Sequence, residues 1–285
     1  MTQTITLTEV PGNGGLYAKA ALGALPLLRR KAQLPDREVR IEGVRVDPEH
    51  LAAYCRATGL RFGDTLPLTY PFVLGFPLTM QLLVARDFPF TAVGSVHFAN
   101  VIERTREISV GEPLDFSVRI ENLREHPKGL LVDAITEVRV GRELVWKQTS
   151  TFLHQQRTSL SGGPKAVPPA DEVPPPPLRT QFVDQKTANR YAAASGDRNP
   201  IHVSGIGAKA MGFARTIAHG MWTCANVLST VEGRIPPAVT YSVKFGKPIF
   251  LPATVNVYAD AVGTGWDLSV LDRKKGYPHL TATLR

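Results

Sequence analysis

Residues 46–59, "VDPEHLAAYCRATG", return at residues 183–196 as "VDQKTANRYAAASG", without a gap and at a constant offset of 137. Val-Asp opens both stretches, a tyrosine holds the same place in each, and Ala-Thr-Gly or Ala-Ser-Gly closes them. An aspartate ahead of a run of helix formers supplies the side-chain oxygen that unpaired first-turn N–H groups need. Pro48 follows Asp47 at the one helical position where a missing N–H costs nothing. The closing glycine takes the left-handed conformation that stops a helix. Both stretches therefore predict a capped helix.

Two further blocks recur in the same order. "SVHF" (95–98) answers "SVKF" (242–245), and "GEPLDFSVRIEN" (111–122) answers "FLPATVNVYADA" (250–261). Ordered recurrence points to two copies of one unit. Between them, "SLSGGPKAVPPADEVPPPPLR" (159–179) carries seven prolines, a composition that favours stiff, extended polyproline chain over core packing. The expected division is a first unit over 1–155, a Pro-rich linker over 156–179 and a second unit over 180–285.

Each unit reads as helix, loop, apolar helix, then strands. In the second, "TIAHGMWTCANVLSTVEGR" (216–234) is apolar nearly all round, as a buried helix is, with the helix expected over 220–231. Four short alternating runs follow: 239–250, 254–263, 266–273 and 278–285. The first unit repeats this with "SVHFANVIE", "LDFSVRIENL", "GLLVDAITEVRV" and "ELVWKQTSTFLH". Short β-branched runs broken by Gly or Pro predict an antiparallel sheet. One apolar helix wrapped by such a sheet is the hot-dog arrangement. The predicted class is α+β, a double hot-dog of two antiparallel sheets joined edge to edge.

Composition narrows the function. The 285 residues are 43% hydrophobic and 20% charged, as in ordinary globular chains. The net charge of +8 is scattered, with only "RR" (29–30) and "RKK" (273–275) as clusters. No aromatic-basic interleaving suggests nucleic acid, so an acidic small molecule or an acidic carrier protein suits the charge better. Cys55 and Cys224 sit in apolar helix-like runs and read as buried free thiols, consistent with a cytoplasmic setting. "LYAKAALGALPLLRR" (16–30) is too short to span a bilayer, contains Pro26, and carries its charges after the apolar run. It is expected to be a packed or surface-lying helix.

The densest chemistry lies in "SGDRNPIHVSGIGAKAMGFARTIAHGM" (195–221). Gly196, Asp197, Asn199 and Pro200 favour a turn, yet the segment holds more polar side chains than a turn requires. Asp197 and His202 are close enough in sequence to hold one water between them, and histidine carries protons near neutral pH. Asn199 and Pro200 are expected to fix the loop. Gly220 opens the apolar helix, where N–H groups are unpaired and the helix dipole is positive. His219, Tyr191 and Ser195 are read as structural, and Arg273, Lys274 and Lys275 as a solvated turn.

"YAAASGDRNPIH" followed by "AHGM" closely resembles the motif of the MaoC-like dehydratases, the (R)-specific enoyl-CoA hydratases of the hot-dog superfamily. "HQQRTSLSG" (154–162) and the proline linker resemble the mycobacterial 3-hydroxyacyl-thioester dehydratases within that group. The resemblance implies reversible hydration of a trans-2-enoyl thioester of CoA or acyl carrier protein, without another cofactor or a metal. It implies catalytic roles for Asp197 and His202, and an oxyanion-stabilising N–H at Gly220.

The first unit offers a contrast. At the same offset, Leu60 stands opposite Asp197 and Thr65 opposite His202, while Pro77 in "GFPLT" falls near the place of Gly220. One active site per chain is therefore expected, with the first unit shaping the acyl pocket. A thioesterase or a non-catalytic acyl-thioester binder is the competing reading. A thioesterase places its carboxylate on the central helix, and "MWTCANVLST" (221–230) has none before Glu232. The chain is expected to act as a monomeric double hot-dog or a homodimer.

Overall fold

The computed structural model describes residues 2–12, 14–17, 19, 33–91, 94–163 and 175–285. Most of the 16–30 helix and the core of the 156–179 linker lie outside the described residues, although residues 14–17 are helical. In chain order the first unit holds β1 (Gln3–Leu7), β2 (Arg37–Val44), α1 (Pro48–Thr58), α2 (Tyr70–Leu83), β3 (Val96–Arg104), β4 (Leu114–His126), β5 (Gly129–Val140) and β6 (Glu143–Gln155). The second holds β7 (Arg179–Val183), α3 (Gln185–Ser195), α4 (Pro200–Val203), α5 (Gly205–Ala210), α6 (Gly220–Leu228), β8 (Val239–Phe245), β9 (Ala253–Val262), β10 (Gly265–Asp272) and β11 (Pro278–Leu284).

The two repeated stretches become α1 and α3 as their caps dictate. Asp47 accepts a hydrogen bond from the N–H of Glu49, and Asp184 from that of Thr187. Each such cap is worth about 1 kcal/mol. Gly59 and Gly196 end the helices at φ of 82° and 71°, where a side chain would be strained. The repeated tyrosines, Tyr54 and Tyr191, meet with ring centroids 6.2 Å apart. The two copies thus pack on each other through the residues that recur.

Strand order makes the duplication visible. The sheet runs β1-β2-β4-β5-β6-β3-β8-β11-β10-β9-β7. From the central β3–β8 pair outward, each side follows the same sequence of strands in its own unit. The two expected sheets are therefore continuous, because β3 pairs antiparallel with β8 from Ala99–Lys244 to Arg104–Val239. Three strands were not anticipated: β2 and β7, which precede the capped helices, and β1, which adds a parallel pairing to β2. Each is short or at an outer position, where alternation is weak as a signal.

α2 packs against β4 and β5, and α6 against β10. Both helices are buried nearly throughout, from Phe72 and Leu78 to Trp222 and Val227. α6 stops at Leu228; residues 229–231 continue as turns with i→i−3 bonds rather than as helix. Cross-unit bonds fasten the helix layer: Trp222 Nε1–H donates to Ala57 O, and Asn226 Nδ2–H to Thr58 O, each at 2.9 Å. Cys55 and Cys224 are free and buried. Among the described residues no helix is long and apolar enough to cross a membrane.

Candidate active site

The stretch after α3 folds as a chain of small caps. Ser195 Oγ accepts from the N–H of Asp197, Asp197 Oδ1 from the N–H of Asn199, and Asn199 Oδ1 from the N–H of Ile201. Asn199 therefore caps α4, with Pro200 as its first residue. The expected loop is partly a one-turn helix, which local sequence read as turn chemistry because caps and turns use the same residues. His202 rides on this helix and is buried.

The tautomer of His202 follows from its partner. Nδ1 lies 2.8 Å from Ile217 O, and a carbonyl only accepts, so Nδ1 carries the hydrogen and Nε2 presents a lone pair. Nε2 is 4.0 Å from Asp197 Oδ2. That is too far for a direct bond, but one water about 2.8 Å from both atoms fits the gap. Burial pulls the His202 pKa below its ordinary value, against the opposing pull of Asp197. For Asp197, burial pushes upward. His219, His202, the Tyr17 hydroxyl and the Asn199 N–H together outweigh it, and the net shift is downward. The resting pair is a carboxylate facing a neutral imidazole.

Gly220 begins α6 behind the N-cap residue His219. Its N–H belongs to the first turn, which the helix ladder leaves unpaired. A Cβ there would come within 3.0 Å of Phe245 Cε1, so the glycine lets an aromatic wall close on the helix end. Asp197, Asn199, Pro200, His202 and Gly220 all line one cleft. Its other walls include Phe76, Met80, Val96 and Phe152 of the first unit and Ile249 of the second.

The first unit differs in the way its own residues require. Leu60 and Thr65 line a separate cavity with Arg61, Arg104 and Glu232. Pro77 does not correspond to Gly220, for it lies well inside α2. The first residue of that helix is Tyr70, whose N–H is already bonded to Pro67 O at 2.9 Å, and Pro71 after it has none. Arg273, Lys274 and Lys275 form a turn about Asp272, which accepts from the N–H groups of both lysines.

Residues not singled out from sequence complete the site. Tyr17 donates to Asp197 Oδ1 at 2.8 Å, and nothing local in "GGLYAKA" announces it. His97 lines the cleft among Phe72, Phe152 and Phe245, and burial lowers its pKa to about 4. The divergence of "SVHF" from "SVKF" was its one available signal. Lys247 lies at the cleft, its ammonium over the Tyr277 ring at 4.2 Å. His219, read as structural, bonds through Nε2 to Asp197 O at 2.9 Å. Donor atoms of Asp197, His202 and His219 lie within 4.8 Å of one another. The two imidazoles stack with planes 27° apart.

The chain belongs to a known class, the MaoC-like dehydratase family: residues 167–280 match the MaoC like domain. It is 51% identical over 267 residues to 3-hydroxyacyl-thioester dehydratase X of Mycobacterium tuberculosis, covering 94% of this chain and 95% of that protein. A crystal structure of HtdX from the same organism matches with a TM-score of 0.80 at 51% identity, covering 86% of this chain and 98% of that one. A MaoC-like dehydratase of Phytophthora capsici shares the fold at 17% identity, with a TM-score of 0.66 over 87% of this chain and 94% of that one.

Proposed function

We propose that this chain is a 3-hydroxyacyl-thioester dehydratase of fatty acid metabolism. It interconverts trans-2-enoyl and (R)-3-hydroxyacyl thioesters carried on CoA or acyl carrier protein. The observation that carries the reading is the 4.0 Å gap between His202 Nε2 and Asp197 Oδ2, where a lone pair and a carboxylate face the same small space.

In the hydration direction a water between them donates one hydrogen to His202 Nε2 and is oriented by Asp197 Oδ2. Its oxygen attacks C3 of the enoyl thioester, and the displaced electron pair moves through C2 to the thioester oxygen. The Gly220 N–H and the positive end of α6 face that oxygen, a donor worth about 3–4 kcal/mol to the transition state. The imidazolium, stabilised by Asp197, then returns its proton to C2. The sum is OH at C3 and H at C2, with nothing else consumed. Dehydration retraces these steps.

Among the described residues there is one such site. The first unit supplies Phe76, Met80 and Phe152 to the cleft and acts as the acyl-pocket wall rather than a second catalyst. The β3–β8 pairing gives the two units each other as partners within one chain, so a monomer is sufficient. Glu232, the first carboxylate beyond the central helix, is engaged with the Arg61 N–H and lines the other cavity, which leaves a thioesterase without its carboxylate.

The test is an ultraviolet assay of crotonyl-, octenoyl- and dodecenoyl-CoA that follows loss of the conjugated thioester, with free thiol monitored in parallel. Conjugation should disappear without thiol release, and an (R)-specific dehydrogenase should oxidise the product. Thiol release would overturn the reading in favour of a thioesterase. An (S) product would overturn its stereochemistry.

A further inference from the structure

Asp197 Oδ1 and Oδ2 are not equivalent. Oδ1 receives the Tyr17 hydroxyl at 2.8 Å and the Asn199 N–H at 3.1 Å, while Oδ2 faces His202 Nε2. Tyr17 is itself held in place: its oxygen accepts the N–H of Arg198 at 2.8 Å, and its ring lines the cleft. It is 180 residues from Asp197 in sequence and lies outside both copies of the repeated helix block. A carboxylate with both oxygens free can rotate and offer either to water; one with two donors on a single oxygen cannot do so without losing both bonds.

We propose that Tyr17 is a positioning residue of this active site, contributed by the segment ahead of the first repeated block: it saturates Oδ1 of Asp197 so that Oδ2 alone shares the reacting water with His202. The inference rests on the dehydratase reading of Asp197 and His202. The phenol is a permanent donor, because burial and the Asp197 charge push its pKa far above its ordinary value. The charged or titratable groups around Asp197 are His202 on α4, His219 at the start of α6 and Tyr17 itself. Tyr191 on α3 and His97 on β3 lie further out. Of these, Tyr17 donates a side-chain hydrogen bond to the carboxylate.

Tyr17→Phe keeps the ring and removes the donor. It should lower kcat by at least about tenfold, the order expected on losing a hydrogen bond to a charged group, and leave KM within about twofold. The acidic limb of the kcat profile should move to higher pH, since a carboxylate that has lost this donor holds a proton on the neighbouring His202 more strongly. Replacing Tyr17 by 3-fluorotyrosine, a stronger donor, should move that limb the other way. In an Asp197→Asn background, Tyr17→Phe should cost little more. Unchanged kcat and acidic limb, or the same fold-loss in the Asp197→Asn background, would overturn the proposal. Wild-type enzyme that hydrates no enoyl thioester would instead overturn the dehydratase reading, so the two failures are distinguishable.

Discussion

His219 lies face to face with His202, ring centroids 3.8 Å apart, while its Nε2–H donates to the backbone carbonyl of Asp197 at 2.9 Å. One side chain thus backs both Asp197 and His202. Burial, reinforced by His202, lowers the His219 pKa to about 3, so the ring is neutral wherever the enzyme works. His219→Ala should lower kcat by about tenfold or more. It should also destabilise the fold by about 2 kcal/mol, from the lost contacts and an unpaired carbonyl. Denaturant titration beside steady-state kinetics separates these effects, and an unaltered kcat would show that the stacking is mere packing.

Asp197→Asn and His202→Ala should each reduce the hydration rate by roughly 100-fold or more and stay folded, because the β3–β8 pairing and the Trp222 and Asn226 bonds that fasten the two units are untouched. Wild-type enzyme should keep its rate below pH 6.5, since His202 is neutral down to a lower pH than an exposed histidine. A pH profile of kcat/KM reads this directly. An acidic limb at or above the ordinary histidine value contradicts the assignment of His202 Nε2 as the proton acceptor.

Gly220→Ala puts a methyl group where Phe245 Cε1 stands 3.0 Å away. The phenyl ring packs against the His97 ring, so the helix start is expected to shift and carry its N–H with it. The expected outcome is a fall in kcat of about 10- to 100-fold, partly restored by Phe245→Leu in the same chain. Failure of that second change to help would place the defect elsewhere than in crowding.

Stability should fall as the solution is acidified from pH 6.5. His202 and His219 are both buried and have lowered pKa values, so below pH 6.5 the unfolded chain binds protons that the folded chain refuses. Each missing proton contributes a slope of about 1.4 kcal/mol per pH unit, and the two together at most ~3. Urea titrations at pH 7.5 and 5.5 should show the loss, and His219→Gln should make the dependence shallower. Equal midpoints at both pH values would contradict the buried neutral state.

Met80 and Phe76 come from the first unit yet wall the cleft that holds Asp197 and His202. Met80→Trp should shorten the space for the acyl chain and lower the rate on dodecenoyl-CoA relative to crotonyl-CoA by about tenfold or more. A uniform loss across chain lengths would mean that the side chain does not border the acyl path. Leu60→Ala, in the other cavity, should affect packing alone.

Much of this molecule was legible along the chain because its determinants are local. Asp47, Pro48 and Gly59, and Asp184 and Gly196, specify their helices through bonds made within a few residues. The strands β3–β6 and β8–β11 announce themselves by alternation, and the repeat shows that the scaffold of one unit answers that of the other. The turn-forming run from Gly196 to Pro200 and the helix start at Gly220 were readable for the same reason: caps and first turns are built from neighbours in sequence.

Tertiary structure decided the rest. Local pattern aligned Pro77 with Gly220, but packing extends α2 back to Tyr70 and carries it through Pro77, so the two helix starts do not fall at the repeat offset. Only the continuous sheet brings Phe76 and Met80 to a cleft whose chemistry lies more than a hundred residues away. Only the folded chain sets the Tyr17 hydroxyl on Asp197. A hydrogen bond between residues 180 positions apart leaves no periodicity, cap or spacing in the sequence. Its geometry exists only once the hydrophobic layers have set the distance.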